Sequence, residues 1–245
     1  MIVMKNIIYV ILSVVILTIF FPSCKIDNFE GPNATFYGAI KDSLGGGLVE
    51  TELINGSAIE AYELGFTTQV SQKWLIKNTG EFRNNLVFAN KYDIYLRNCN
   101  FFPYTVSGIT INAGDNEYDF KVVPYIRIKN CAITLDKTTN KVNATFSLEA
   151  GKSFVKLKTI RLYAFSDIYV GENVKFSTAG TTYSQTFSTS KVIDSSTYTL
   201  SIDLGLNSTM FLTGRNYYFR VGALADVTGV GTIRYNFAPY VKITL

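Results

Sequence analysis

Histidine is absent from all 245 residues. A Ser-His-Asp triad, a Cys-His pair and any His-ligated zinc site are thereby excluded, while carboxylate-pair, lysine-based or tyrosine-based catalysis stays open. Cysteine is scarce at three, tryptophan occurs once and proline five times. Positive charge is thin as well. A formal +4 with no Lys/Arg run offers no track for phosphates, which argues against a nucleic-acid partner. Past residue 24 no segment sustains a capped helical period. What abounds instead is Tyr (16) and Phe (18), with recurrent Val, Ile and Thr, the composition of β-strands.

The amino-terminal segment has its own logic. Lys5 is its one charge, Ile7 to Phe21 is an almost unbroken apolar run, and small Ser23 precedes Cys24. A basic start, an apolar stretch and a small residue before the cut make a secretory signal. The run of about 15 residues falls short of the roughly 20 that span a bilayer. Cys24 after the cut resembles the lipobox of bacterial lipoproteins, with Phe21 and Pro22 departing from the usual residues. That resemblance implies lipidation of Cys24 and anchorage in the outer membrane. Removing 23 of the 245 residues leaves 222 and takes the charge from +4 to +3, since Lys5 leaves. Residues 24–32 then read as a lipidated tether. Lys25, Asp27 and Glu30 resemble the export signal of Bacteroidota surface lipoproteins, which implies exposure at the cell surface.

The remainder predicts an all-β chain of two tandem β-sandwiches, 33–124 and 125–245. In the first, Phe36, Gly38 and Ile40 alternate with Tyr37, Ala39 and Lys41, a strand period of two. Six further short strands follow, the last at 118–123. Gly38-x-Ile40-x-Asp42, the Gly turn and Leu48, then Gly80-x-Phe82 and Lys91-Tyr92-Asp93-Ile94, resemble transthyretin-like, carboxypeptidase-regulatory-type domains. Such domains are typically non-catalytic spacers or binding modules. In the second, Leu212-x-Gly214-x-x-Tyr217 leading into Phe219, Val221 and Ala223 resembles the sixth strand of immunoglobulin/fibronectin type III-like domains. It implies a tyrosine corner, with the Tyr217 hydroxyl bonded to upstream backbone. The last strand is expected over 234–245.

The order of these parts, with Phe120-Lys121-Val122-Val123-Pro124-Tyr125 at the junction, resembles Bacteroidota lipoproteins of unknown function associated with polysaccharide uptake. The resemblance implies a non-catalytic accessory protein that binds or presents glycan, with an outer-membrane transporter complex as a further partner. The alternative is a structural scaffold docking on an envelope complex. No cofactor is implied.

Candidate sites divide between ligand and packing. Trp74 could offer its face to a sugar, yet it shares a strand face with Ile76, which favours the core. Phe101, Phe102 and Tyr104 could form an exposed aromatic patch or a plug under a loop. Asp115, Glu117 and Asp119, two apart, suit either a calcium ion or a solvated edge, and lack the regular calcium-loop spacing. Cys99 and Cys131 flank the junction and could bridge it or lie as two separate thiols. Asp42-Ser43-Leu44 resembles the O-glycosylation acceptor of Bacteroidota secreted proteins, which implies a modified Ser43; the plain reading is a turn serine.

Overall fold

The computed structural model describes residues 30–245, so the expected signal segment and Cys24 lie outside the described residues. Pro32–Leu245 forms one compact unit. Among the described residues there is no helix, and so none that could cross a membrane.

Eight strands build the first sandwich: β1 (Ala34–Asp42), β2 (Ala58–Glu63), β3 (Ser71–Leu75), β4 (Glu81–Val87), β5 (Asn90–Leu96), β6 (Tyr104–Ile111), β7 (Gly114–Glu117) and β8 (Phe120–Val122). One sheet runs β4-β1-β7, with β8 also on β1; the other runs β3-β2-β5-β6. Phe36 and Ile40 of β1 point into the core, as their alternation requires, and Phe36 meets Trp74 from the other sheet at 5.6 Å. The strand expected at 118–123 is shortened to β8, and Tyr118 and Asp119 form a break between it and a separate strand, β7. Asp119 turns its carboxylate onto the Ala39 N–H at 3.0 Å, taking a place that a ladder carbonyl would fill. The break is possible because residue 38 is glycine: a Cβ there would fall 2.0 Å from the Tyr118 carbonyl oxygen.

The second sandwich follows with β9 (Ile126–Asp136), β10 (Lys141–Ala150), β11 (Lys156–Phe165), β12 (Ser184–Val192), β13 (Thr197–Asp203), β14 (Asn216–Asp226), β15 (Asn236–Phe237) and β16 (Val241–Thr244). A three-stranded sheet, β13-β10-β9, faces β12-β11-β14, whose far edge is shared by β15 and β16. Here too the expected last strand is interrupted, at Pro239, which has no N–H to give a ladder. The hydroxyl of Tyr217 accepts the Leu212 N–H at 2.7 Å, so the tyrosine corner is present.

β14 departs from simple alternation. Tyr217, Phe219, Val221, Ala223 and Ala225 enter the core, but Arg220 and Gly222, on the opposite face, are buried as well. A strand buried on both faces must be covered on both. The cover on the outer side is partly a second aromatic cluster and partly the first sandwich.

Candidate functional site

The seam between the sandwiches is built around Arg220, whose side chain is wholly inaccessible to solvent. Its guanidinium donates to the carbonyls of Ala238 (2.9 Å), Thr51 (2.8 Å) and Asn78 (3.0 Å), and to Glu50 Oε2 at 2.5 Å. Phe237 lies 4.4 Å beneath it. A planar fork with five donors suits this arrangement, in which a lysine would leave carbonyls unpaired. Burial pulls the Arg220 pKa down while Glu50 and Glu52 push it back, and the guanidinium stays charged. Burial likewise holds the Glu50 carboxyl above its ordinary value, against the attraction of Arg220.

Asn100 and Asn236 extend the polar seam. Asn100 donates to the carbonyls of Glu50 (2.6 Å) and Tyr235 (3.2 Å), and Asn236 donates to the Asn100 carbonyl at 2.7 Å. At its rim Arg127 forks onto Asp42 at 2.5 and 2.8 Å and reaches Glu149 at 3.1 Å. Burial raises the Asp42 pKa, but the hydrogen bonds from Arg127 and from the Leu44 N–H outweigh it and leave the carboxyl below its usual value. A cleft of about 340 Å³ lies here, walled by the Gly45–Gly47 turn, Arg127, Lys129 and Pro239.

Beside the seam, the outer face of the β11–β14 sheet carries aromatics where a solvated sheet would carry charge. Tyr163, Val170 and Phe237 form a buried cluster, onto which Phe165, Tyr218, Tyr235 and Tyr240 pack while remaining half exposed. Tyr218 meets Tyr240 edge-on at 5.6 Å, and Tyr163 meets Tyr235 edge-on at 6.1 Å. Gly222 makes room, since a Cβ there would sit 2.7 Å from the Tyr163 ring. Polar groups gather at the edge of this face. Arg161 grips both Glu172 oxygens at 2.7 and 2.6 Å, the Tyr163 hydroxyl donates to Glu172 at 2.7 Å, and Lys175 closes on the same residue. Burial drives the Tyr163 and Tyr235 hydroxyls up, so both stay protonated donors at neutral pH. Half-exposed rings flanked by fixed hydroxyl, carboxylate and guanidinium groups can pack sugar C–H faces and bind sugar hydroxyls.

The residues singled out from sequence do not assemble this site. Trp74 is buried in the first core between Phe36 and Tyr92, its Nε1–H satisfied by Gln72, so it is no ligand platform. Phe101 is buried, and Phe102 and Tyr104 are half-buried against Tyr125 and Phe120, which makes the group a plug rather than an open patch. Cys99 and Cys131 form no bridge. Cys99 sits in the first core and Cys131 packs on the second, and burial pushes each thiol to about 11. Asp119 pairs with Lys41 and Asp115 with Arg83; among the described residues no three acidic, cysteine or histidine side chains gather as a metal site. Ser43 is exposed on its turn, while the neighbouring Asp42 is engaged by Arg127.

Two family models match the chain. The first, protein of unknown function (DUF3823) N-terminal domain, matches residues 34–123, and the second, domain of unknown function (DUF3823_C), matches 126–242. This chain belongs to the DUF3823 family. No curated protein matches it. Among solved structures, a Bacteroides uniformis protein described as a putative carbohydrate binding protein is 52% identical, with a TM-score of 0.84 over 88% of this chain and 100% of its own. A second DUF3823 protein of Bacteroides uniformis shares the fold at 16% identity and TM-score 0.72, covering 87% of this chain and 100% of its own. One from Bacteroides ovatus does so at 19% and 0.69, covering 86% and 98%.

In this DUF3823 chain, sequence reasoning missed Arg220 and the aromatic face together. Tyr218, Arg220 and Gly222 lie on the outward side of a strand whose inward side is plainly apolar, and an outward arginine reads as solvated. The available signal was Gly222, because a glycine on an open strand face exposes backbone without a packing reason.

Proposed function

We propose that this DUF3823 protein is a non-catalytic, lipid-anchored protein of the outer-membrane surface that binds glycan beside a polysaccharide-uptake complex. Lipidation of Cys24 would place the two fused sandwiches on a short tether. The observation that carries the glycan reading is the aromatic outer face of the β11–β14 sheet, with Tyr218, Tyr235 and Tyr240 half exposed next to Arg161 and Glu172. The 52%-identical relative described as a putative carbohydrate binding protein points the same way. A rigid seam supports such a role, since it holds the face at a fixed angle to the tether and reduces the entropy lost on binding.

Isothermal titration of residues 25–245 against a polysaccharide panel tests this. Binding heat is expected with at least one polymer, weakened by about 1 kcal/mol in each of Tyr218→Ala and Tyr240→Ala. Absence of heat with every polymer would remove the glycan role and leave the scaffold reading, which predicts a stoichiometric envelope partner in pull-downs. Palmitate labelling that persists in Cys24→Ala would remove the anchor.

A further inference from the structure

A smaller groove opens where the outer face of the first sandwich meets the segment after β14. On that face Glu60 of β2 stands opposite Lys73 of β3 on one side and Tyr95 of β5 on the other. Tyr62 packs edge-on against Tyr95 at 5.4 Å. Arg97 is fixed by three contacts: its guanidinium lies 5.0 Å over the Tyr95 ring, its Nε donates to Glu60 at 3.1 Å, and it donates to the Tyr62 hydroxyl at 3.2 Å. The second sandwich supplies the far wall. Thr232 N–H donates to Asn98 Oδ1 at 2.9 Å, and the Arg234 N–H to the Cys99 carbonyl at 3.2 Å.

The backbone is shaped for this approach. Asn98 has φ 55°, a left-handed conformation that asparagine tolerates better than most residues. Gly231, at φ 79°, comes so near that a Cβ would lie 2.6 Å from Asn98 Oδ1. The resulting cavity of about 230 Å³ is lined by Glu60, Ser71, Lys73, Arg97, Asn98 and Arg234. That is below the roughly 300 Å³ at which sites for drug-sized ligands begin, and it suits one sugar ring.

Charge sets what that ring would carry. Three cations face one carboxylate, and Glu60 is already spent on Arg97. Among the described residues neither Lys73 nor Arg234 has an acidic partner within ion-pair distance. With the Nε and one terminal nitrogen of Arg97 held by Glu60, the Arg234 guanidinium and the Lys73 ammonium around one ring-sized space favour an anionic oxygen group, which a guanidinium can bind through two parallel hydrogen bonds.

We propose that this groove binds the anionic residue of an acidic glycan, a sugar bearing carboxylate or sulfate, through Arg234 and Lys73, beside the Glu60-paired Arg97. The proposal rests on the carbohydrate-binding reading above and adds a substrate class and a second subsite.

Residues 25–245 are titrated with polygalacturonate, dextran sulfate and uncharged dextran at low and high salt. Polygalacturonate or dextran sulfate is expected to bind, and which of them binds assigns carboxylate or sulfate. Arg234→Ala and Lys73→Ala should each weaken that binding about tenfold and flatten its salt dependence. Lys121→Ala, on the opposite sheet, should leave it unchanged. Far-ultraviolet circular dichroism checks that each variant is folded. Equal loss in Lys121→Ala, or no loss in both groove variants, would overturn the groove as the site. Binding of neutral polymers alone overturns this proposal and spares the carbohydrate reading; silence across acidic and neutral polymers overturns both.

Discussion

The interiors of the two sandwiches and the seam between them are held by different forces. Each interior is aromatic and aliphatic: Phe36, Ile59, Trp74 and Phe82 in the first, Phe146, Leu162, Phe219 and Val221 in the second. The seam is polar, with Arg220, Glu50, Asn100 and Asn236 joined by hydrogen bonds that span it. Apolar burial is non-directional and brings two sheets together without dictating a fine angle. Hydrogen bonds to fixed carbonyls are directional, and a buried donor left unpaired is costly, so the seam admits one docking geometry. The contrast shows why Pro32–Leu245 behaves as one unit although it contains two cores.

The sharpest way to break this contrast is Arg220→Ala. It leaves Glu50 buried without its partner and strips the carbonyls of Thr51, Asn78 and Ala238, and should cost about 3–5 kcal/mol. It should also separate urea unfolding into two transitions. Trp74, the lone tryptophan, lies in the first core, so its fluorescence follows that sandwich alone. Phe146→Ala makes a cavity in the second core at a similar cost of about 3–5 kcal/mol, but should keep unfolding as one transition. A single transition in Arg220→Ala would mean that Arg220 is not what couples the sandwiches.

Asn100→Ala, which deletes one member of the network, should cost about 1–3 kcal/mol in the same assay. Acid should act next. The Asp42 pKa lies below its ordinary 3.8 in the folded state, so its contribution is present above that pH and lost as the pH falls through the folded value. Glu50 and Glu52 lie above 4.5 when folded and act in reverse, with stability falling as the pH rises through their range. Melting temperature followed from pH 6 to 2 should therefore keep an acid-labile component that Asp42→Asn removes. The smallest effect is expected at Tyr125, whose buried hydroxyl has no hydrogen-bond partner. Tyr125→Phe should be neutral or stabilising by up to about 1 kcal/mol, read as a shift in the urea midpoint.

Much of the fold was legible because strands announce themselves locally. The alternation at Phe36–Ile40 and at Tyr217–Ala223 named the inward faces, and Tyr217 carried its corner with it. Trp74 read correctly as core from its shared face with Ile76. The breaks at Asp119 and Pro239 were harder, because the first depends on a carboxylate meeting a strand distant in sequence. The candidate site was the least legible part. Tyr163, Tyr218 and Tyr235 come from three separate stretches, and none has a local spacing that announces a neighbour.

The sequence by itself determined that this chain is all-β, which side chains face each core, and that histidine chemistry is closed to it. Period-two alternation and composition are properties of short segments and survive without knowledge of the rest. Only the tertiary structure decided that Arg220 is buried, that Cys99 and Cys131 stay apart, and which tyrosines face solvent. Those outcomes depend on what covers the outer side of a sheet, and that cover comes from residues far along the chain.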